Sequence, residues 1–525
     1  MRLLNAKTLE FDDIMNDSEI PRYAILSHTW GPEEVTYKDM RKNRKAAEAK
    51  EGFKKIDRCA KEATKYGIEY IWVDTCCINK ASSAELSEAI NSMYRWYKNA
   101  NVCYTYLADV PPVPGSKDQY EKWIGEFKKS RWFTRGWTLQ ELIAPSHLIF
   151  YSEKWTKVGT KVELANPIKN ITGVPLGILV NGNISDASVA QRLSWAAHRE
   201  TSRTEDRAYC LLGLLDVNMP MLYGEGQKAF LRLQEEIIKN SDDMSIFAWT
   251  DPNASFSSYR GLLARSPKEF GSCHDMRWFR MKAKLPPYQS TNKGVRLESR
   301  LVPYKNSTDE VLTPLWGVMC GSKQATLGII LRKVGEDQYA RIETDKVTEY
   351  AGGKWTSPQG EMRPFYVRPT IEMEAPEHSR AGGILMQTNN TRSIILEKVE
   401  PSGQWNKATK FFSFESPIAT TKPPVVTFSM KLKKPGAKGG KDEAGKEEKL
   451  TVLVDAGKRW GTFAVVQFAS QGWNTKEHLN PSRQVIICQK KGELEIEVLA
   501  VRGLVDEESK IILSVNTHRA PANSG

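Results

Sequence analysis

Metal-ligand spacing is missing from this chain. Of its eight cysteines only Cys76 and Cys77 are neighbours, none is paired as C-x-x-C, and the seven histidines are scattered. That pattern gives neither a zinc site nor a disulfide framework, and a reducing compartment is expected. Long apolar runs are also missing. The segment Met1 to Glu10 has no sustained hydrophobic stretch, and the most apolar later run, Leu211 to Leu222, is broken by Asp216, Asn218 and Pro220. A soluble cytoplasmic protein without a membrane segment is the expectation. Charge of one sign is diluted: 75 Lys and Arg stand against 63 Asp and Glu, and the densest basic run, Lys431 to Lys449, contains Asp442, Glu443, Glu447 and Glu448. Such interleaving makes a solvated surface, so nucleic acid is not the expected partner. A phosphate loop is lacking too. Gly224-Glu-Gly226 has neither the third glycine nor the Lys-Ser/Thr of such a loop, and it reads as a turn before a helix over Gln227 to Lys239.

What is present is alternation. At 525 residues the chain exceeds a single core. From Tyr23 to Tyr151, strand-like runs at Ala24–His28, Glu69–Asp74, Val102–Leu107 and His147–Tyr151 are separated by helical patterns. Phe53, Ile56, Ala60 and Ala63 mark one helix, ending near Gly67, and Leu86, Ile90, Met93, Tyr94 and Tyr97 mark another. This order predicts an α/β domain with a mostly parallel sheet flanked by helices. Ligands bind such sheets outside the carboxyl ends of the strands, which singles out Ser27, His28 and Asp74. Each has a structural alternative: His28 as a satisfied structural group, Asp74 as the cap of the loop Thr75 to Ser83, which contains Asn79.

The densest stretch runs from Ser130 to Tyr151, with three aromatics, two arginines and one carboxylate ahead of an apolar strand. Thr138 to Glu141 has capping-box spacing and Pro145 ends the helix. Glu141 is therefore either a helix cap or a chemical group.

Helical patterns resume at Val189–His198 and Ala208–Leu215. Arg199, Glu200, Arg203, Glu205, Asp206 and Arg207 crowd the junction and are expected to form an ion-pair network. Beyond about Ser255 two-residue alternation takes over, as at Val295–Val302, Ala325–Leu331, Phe365–Val367, Val425–Met430, Leu450–Val454, Phe463–Phe468, Val485–Cys488 and Leu494–Val501. This predicts a β-rich, sandwich-like C-terminal half. Lys433 to Lys449 is expected to be a mobile loop. The expected divisions are residues 1–165, a helical extension at 166–254, and β-rich domains at 255–420 and 421–525.

Three blocks, Tyr23-Ala-Ile-Leu-Ser-His-Thr-Trp-Gly31, Ile71-Trp-Val-Asp-Thr-Cys-Cys-Ile-Asn79 and Arg135-Gly-Trp-Thr-Leu-Gln-Glu-Leu-Ile-Ala-Pro145, resemble those of the heterokaryon incompatibility (HET) domain of filamentous fungi. Ala190 to Trp249 resembles the region that commonly follows that domain. Lys80 departs from the pattern, which more often has Gln. The HET family is in turn distantly similar to Toll/interleukin-1 receptor (TIR) domains, some of which cleave NAD with a glutamate. Ser130-Arg-Trp132 and Glu141-Leu142 look like the two halves of that motif, split by a longer insert.

The resemblance implies a fungal effector of self/non-self recognition and regulated cell death, with NAD as substrate and no resident cofactor or metal. It also implies self-association of the HET domain, in response to a protein trigger that nothing in the residues identifies. Glu141 would be catalytic, stabilising positive charge on the ribose. Substrate binding would fall to Ser27, His28, Trp30, Asp74, Asn79, Arg135 and Trp137. Trp30, Trp132 and Trp137 would stack on a ring or else fill core, and Arg135 would pair with the pyrophosphate or with a surface carboxylate. The alternative is a signalling or adaptor module without catalysis, acting through the same surface.

Overall fold

A computed structural model describes residues 1–252 without a break and 259–370 with gaps at 282–285, 305–309, 322–325 and 351–361; beyond 370 only strands are described. The first sheet has seven strands: β1 (Arg2–Asn5), β2 (Phe11–Asp13), β3 (Tyr23–His28), β4 (Tyr70–Trp72), β5 (Val102–Tyr106), β6 (Leu148–Tyr151) and β7 (Lys157–Thr160). Their order is β2-β1-β4-β3-β5-β6-β7. The central four are parallel, and β1, β2 and β7 extend the sheet with antiparallel pairs. The expected parallel core is thus present with antiparallel edges. The second strand of the parallel set, β4, lies on one side of the first, β3, and the third, β5, on the other, so the carboxyl end of β3 is a switch point of the topology.

The helices between the parallel strands include α1 (Phe53–Lys65), α2 (Ser83–Asn99), α3 (Lys117–Lys129) and α4 (Thr138–Ile143). Helix α1 buries Ile56, Cys59, Ala60 and Ala63, and stops where Gly67 takes a left-handed φ of +68° that a Cβ would disfavour. Helix α2 is capped by the Ser82 hydroxyl, which accepts from the Glu85 amide at 3.3 Å, and buries Ala89, Ile90, Met93, Trp96 and Tyr97. Asp74 follows β4 after the single residue Val73, but the expected loop begins as a helical turn over Asp74–Cys77.

The region after the sheet is more broken than its apolar pattern predicts. Helix α5 spans only Val189–Ser194, and the expected helix Ala208–Leu215 is two single turns, Asp206–Tyr209 and Leu212–Leu215. The second turn packs against α2 so closely that a Cβ on Gly213 would lie 2.0 Å from the Tyr94 Cβ. Gly213→Ala is therefore expected to cost about 1–3 kcal/mol in a denaturant titration, because neither backbone can retreat from a packed core. An unchanged midpoint would show that the contact relaxes freely. Helix α6 (Lys228–Asn240) completes the segment close to the expected bounds.

One contiguous hydrophobic cluster runs from Leu3 to Val367, so the sheet, the helical segment and the first β-rich part share a core. That β-rich part is an eight-stranded sheet with Glu310–Pro314, Leu327–Lys333, Gln338–Ile342, Met362–Val367 and Gly294–Arg300 adjacent in that order. Strands from Gly383 to His518 form a seven-stranded and a four-stranded sheet. The C-terminal half is strand-rich as its alternation predicts. Of the segment expected to be a loop, 433–447 lies outside the described residues, and a strand begins at Glu448.

Candidate functional site

Glu141 is the centre of the arrangement, and the capping box expected of it does not form. The chain reaches α4 from a 3-10 turn, Arg131–Thr134, and Trp137 at the N-cap position is already helical and offers no side-chain cap. Thr138 is occupied elsewhere, its hydroxyl donating to the carbonyls of Trp132 (2.5 Å) and Arg135 (2.9 Å). The Glu141 carboxyl instead reaches across to β3, where Ser27 Oγ donates to Oε2 at 2.5 Å. Ser27 is held in turn by the Trp132 indole N–H at 2.8 Å. The Tyr97 hydroxyl, which donates to the Leu26 carbonyl at 3.1 Å, lies beside Glu141 and works against the rise of its carboxyl.

Burial pushes the Glu141 carboxyl up to about 8; the Ser27 bond opposes the rise, Asp74 adds to it, and Tyr97 and Arg199 oppose it. A carboxyl that is neutral near pH 7 yet within reach of ionisation is what acid/base or charge-stabilising chemistry uses. Its helix is anchored from behind by Lys161. This buried ammonium donates to the carbonyls of Leu142, Ile143 and Pro145 at the helix carboxyl end, and burial lowers it to about 8.

Beside this group, His28 ends β3, buried, with Nε2 3.7 Å from Glu34 and Nδ1 3.9 Å from Asp74. Neither ring nitrogen has a hydrogen-bond partner among the described residues. Burial alone would raise Glu34, but His28, Lys55 and the Gly31 amide outweigh it and hold the carboxylate down at about 2. Asp74 accepts from the Trp30 indole at 2.9 Å, and the Lys80 ammonium sits 3.5 Å from the Trp30 ring centroid. Trp30 is 47% exposed, so one edge of the cluster is an open aromatic surface crowned by a cation. Arg131 donates to the Trp30 carbonyl at 3.1 Å.

Ser27, His28, Trp30, Asp74 and Glu141 therefore gather at the carboxyl ends of β3 and β4. Three expected members do not join them. Asn79 folds onto its own turn, accepting from the Ala81 amide at 3.2 Å. Arg135 faces Ser202 Oγ at 3.4 Å, and Trp137 lies near Asp206, because the α4 approach is zipped to the following segment through backbone bonds between Thr134, Gly136 and Glu200. Trp132 is 1% exposed and cannot stack on a ligand; its role is to hold Ser27.

Comparison with known proteins agrees with the motifs. Residues 23–112 match the family model described as "Heterokaryon incompatibility protein (HET)", and residues 228–262 match a domain of unknown function, DUF8212. A stretch of 237 residues is 48% identical to the vegetative incompatibility protein HET-E-1 of Podospora anserina, covering 45% of this chain and 17% of that protein. The chain carries a HET domain. No solved structure matches it significantly.

Glu141 lies beyond the stretch that the family model covers, and the bond from Ser27 joins it to the first block, which the model does cover. Sequence reasoning missed Tyr97, Glu34, Lys161 and Arg199. Tyr97 occupies a core-facing stripe position and gives no signal there; Glu34, three residues after Gly31, could have been found as a carboxylate folding back on a turn, since it accepts from the Gly31 amide at 2.5 Å. The expected ion-pair network at 199–207 is not formed among these residues. Arg199 donates to the carbonyls of Trp195 and Arg135, Glu205 accepts from the amides of Gly224 (2.8 Å) and Gly226 (3.1 Å), and Arg203 stacks on Tyr223 at 4.4 Å. Glu205 thus fills the Gly-x-Gly turn with an internal carboxylate.

Proposed function

We propose that this chain is an effector of fungal self/non-self recognition and regulated cell death, whose TIR-like HET domain hydrolyses NAD at the nicotinamide–ribose bond when self-associated. The relative's printed name, a vegetative incompatibility protein, supports the biological half of the reading. The chemical half rests on one observation: a buried carboxyl, Glu141, shares a bond with Ser27 at the switch point of a parallel sheet, next to the exposed ring of Trp30. In the reaction, water adds to the anomeric carbon and the glycosidic electron pair leaves with nicotinamide. The water then gives up a proton.

The cationic nicotinamide ribosyl group favours ionised Glu141, whose charge stabilises the oxocarbenium character of the transition state. Trp30 would offer a stacking face, and Arg131, whose guanidinium reaches the Trp30 carbonyl, would pair with the pyrophosphate in place of Arg135, which faces Ser202. The division into an effector at 1–165, a helical extension at 166–254 and sandwich-like units at 255–420 and 421–525, acting as sensor or restraint, belongs to the same proposal.

The test is release of nicotinamide from NAD by the purified full chain at high and low protein concentration. Concentration-dependent release supports the reading, and no release at either concentration removes the enzyme. The competing reading, a non-catalytic adaptor, is favoured by the 7% exposure of Glu141, which suits a structural carboxyl as well. Ser27→Ala separates the two. Because the Ser27 bond lowers Glu141, its loss is expected to move the midpoint of the turnover pH profile to higher pH. An unmoved midpoint would mean that Glu141 does not control turnover.

A further inference from the structure

Arg199 reaches the Glu141 site from outside the sheet. It follows helix α5 in the helical segment, and it is buried. Its Nε donates to Trp195 O at 3.3 Å, and its Nη1 donates to Arg135 O at 2.8 Å and to Thr138 Oγ1 at 3.0 Å, on the helical turn before Glu141. A hydroxyl has a single proton to give. With a guanidinium donating into it, the Thr138 oxygen keeps that proton for the carbonyls of Trp132 (2.5 Å) and Arg135 (2.9 Å). The first of these bonds fixes the 3-10 turn that carries Trp132, whose indole N–H donates to Ser27 Oγ at 2.8 Å. Ser27 obeys the same rule: its oxygen accepts from Trp132, and its proton goes to Glu141 Oε2 at 2.5 Å. The seam that brings Arg199 here cannot slide. Backbone bonds run from Glu200 N to Thr134 O (2.7 Å) and from Gly136 N to Glu200 O (2.8 Å), and a Cβ on Gly136 would lie 2.5 Å from Thr201 Cγ2.

Charge makes the second link. Glu141 is faced by Asp74 from the turn after β4, Tyr97 from α2, Cys103 from β5 and Arg199 from the helical segment. Burial raises the carboxyl, Asp74 adds to the rise, and Arg199, the cation of this group, opposes it. Burial also lowers Arg199 to about 10, which leaves it charged at neutral pH. Its hydrogen bonds go to two carbonyls and a hydroxyl, and its Nη2 has no partner. A buried cation without a counter-ion is costly, and so is a buried carboxylate beside another acid. Ionised Glu141 and Arg199 offset each other's cost.

We propose that Arg199 is a positioning residue of the Glu141 site, ordering the Thr138–Trp132–Ser27 chain that aims a proton at the carboxyl and supplying the positive charge that favours its ionised form. The helical segment is then part of the site and not a linker behind it. The role in turnover rests on the NAD reading, whereas the effect on the Glu141 proton does not.

The experiment follows the carboxylic acid band of Glu141 with pH, by infrared difference spectroscopy of the full chain against Glu141→Gln. Arg199→Gln is expected to move the midpoint of that band up by about one pH unit, and Arg199→Lys, which keeps the charge, to move it less. Thr138→Val removes only the shared hydroxyl, so it tests the chain even where Arg199→Gln fails to fold. It should raise the midpoint in the parent but leave it unmoved in Ser27→Ala, where the chain ends before the carboxyl. In turnover, Arg199→Gln should release nicotinamide about tenfold more slowly below the midpoint and recover as the pH rises past it, a recovery that a merely structural defect would not show. Midpoints unmoved in both Arg199→Gln and Thr138→Val overturn the proposal, and so does a Thr138→Val shift that persists in Ser27→Ala. A midpoint that moves in a protein that releases no nicotinamide supports the positioning role and defeats the NAD reading alone.

Discussion

Glu141→Gln is expected to reduce nicotinamide release by about 10²-fold or more while leaving the protein folded and, at pH 7, no less stable than the parent. The reasoning starts from the side chain's surroundings. Glutamine has nearly the shape of the neutral acid that burial favours here, and its amide oxygen can accept the Ser27 bond in place of Oε2. What it cannot do is ionise. If turnover needs negative charge beside the ribose, the amide loses that electrostatic contribution and keeps the rest of the site. Measuring nicotinamide release and thermal midpoint on the same preparation makes the comparison direct. A variant as active as the parent would defeat the catalytic role of Glu141 whatever its stability. One that is stable but inactive would leave a structural role insufficient.

How far the sequence foretold this site depends on the range of the interaction concerned. Strands β3, β4, β5 and β6 and helices α1 and α2 follow from apolar periodicity, because each buries a face on the sheet and the period records that burial. The blocks carrying Ser27, His28, Trp30, Asp74 and Glu141 were legible as a group, and topology placed Ser27, His28 and Asp74 near strand ends. The cap reading of Glu141 failed for a physical reason. Capping-box spacing is a local pattern, whereas Ser27 lies 114 residues away and competes for the same carboxyl. Trp137 and Arg135 share the motif with Glu141 but leave the chain in other directions, since β-type backbone bonds to Glu200 turn that segment towards 199–206. Charge alternation at 199–207 suggested ion pairs, yet backbone carbonyls, glycine amides and an aromatic ring outcompeted the neighbouring charges. The antiparallel strands β1, β2 and β7 are three or four residues long, too short for alternation to register.

Stability should carry the same titration with the opposite consequence for the fold. In the unfolded chain Glu141 ionises near its ordinary value of 4.5, whereas in the folded protein burial holds its proton up to about 8. Between those values the folded state binds more protons than the unfolded one, so raising the pH weakens the fold. The contribution is fully present below about pH 4.5, is lost progressively up to about pH 8, and is constant above it. Other groups titrate too, among them Lys161, but they are common to Glu141→Gln and the parent. The difference in unfolding free energy between the two proteins therefore isolates this carboxyl. It is expected to shift in favour of Glu141→Gln across that window by an amount on the order of a few kcal/mol. Denaturant titrations of both proteins at pH 5, 6, 7, 8 and 9 would read it. A difference that stays flat with pH would mean that Glu141 ionises in the folded protein much as it does in the unfolded one. The alkaline rise in turnover expected of a buried, proton-holding Glu141 would then lose its cause as well.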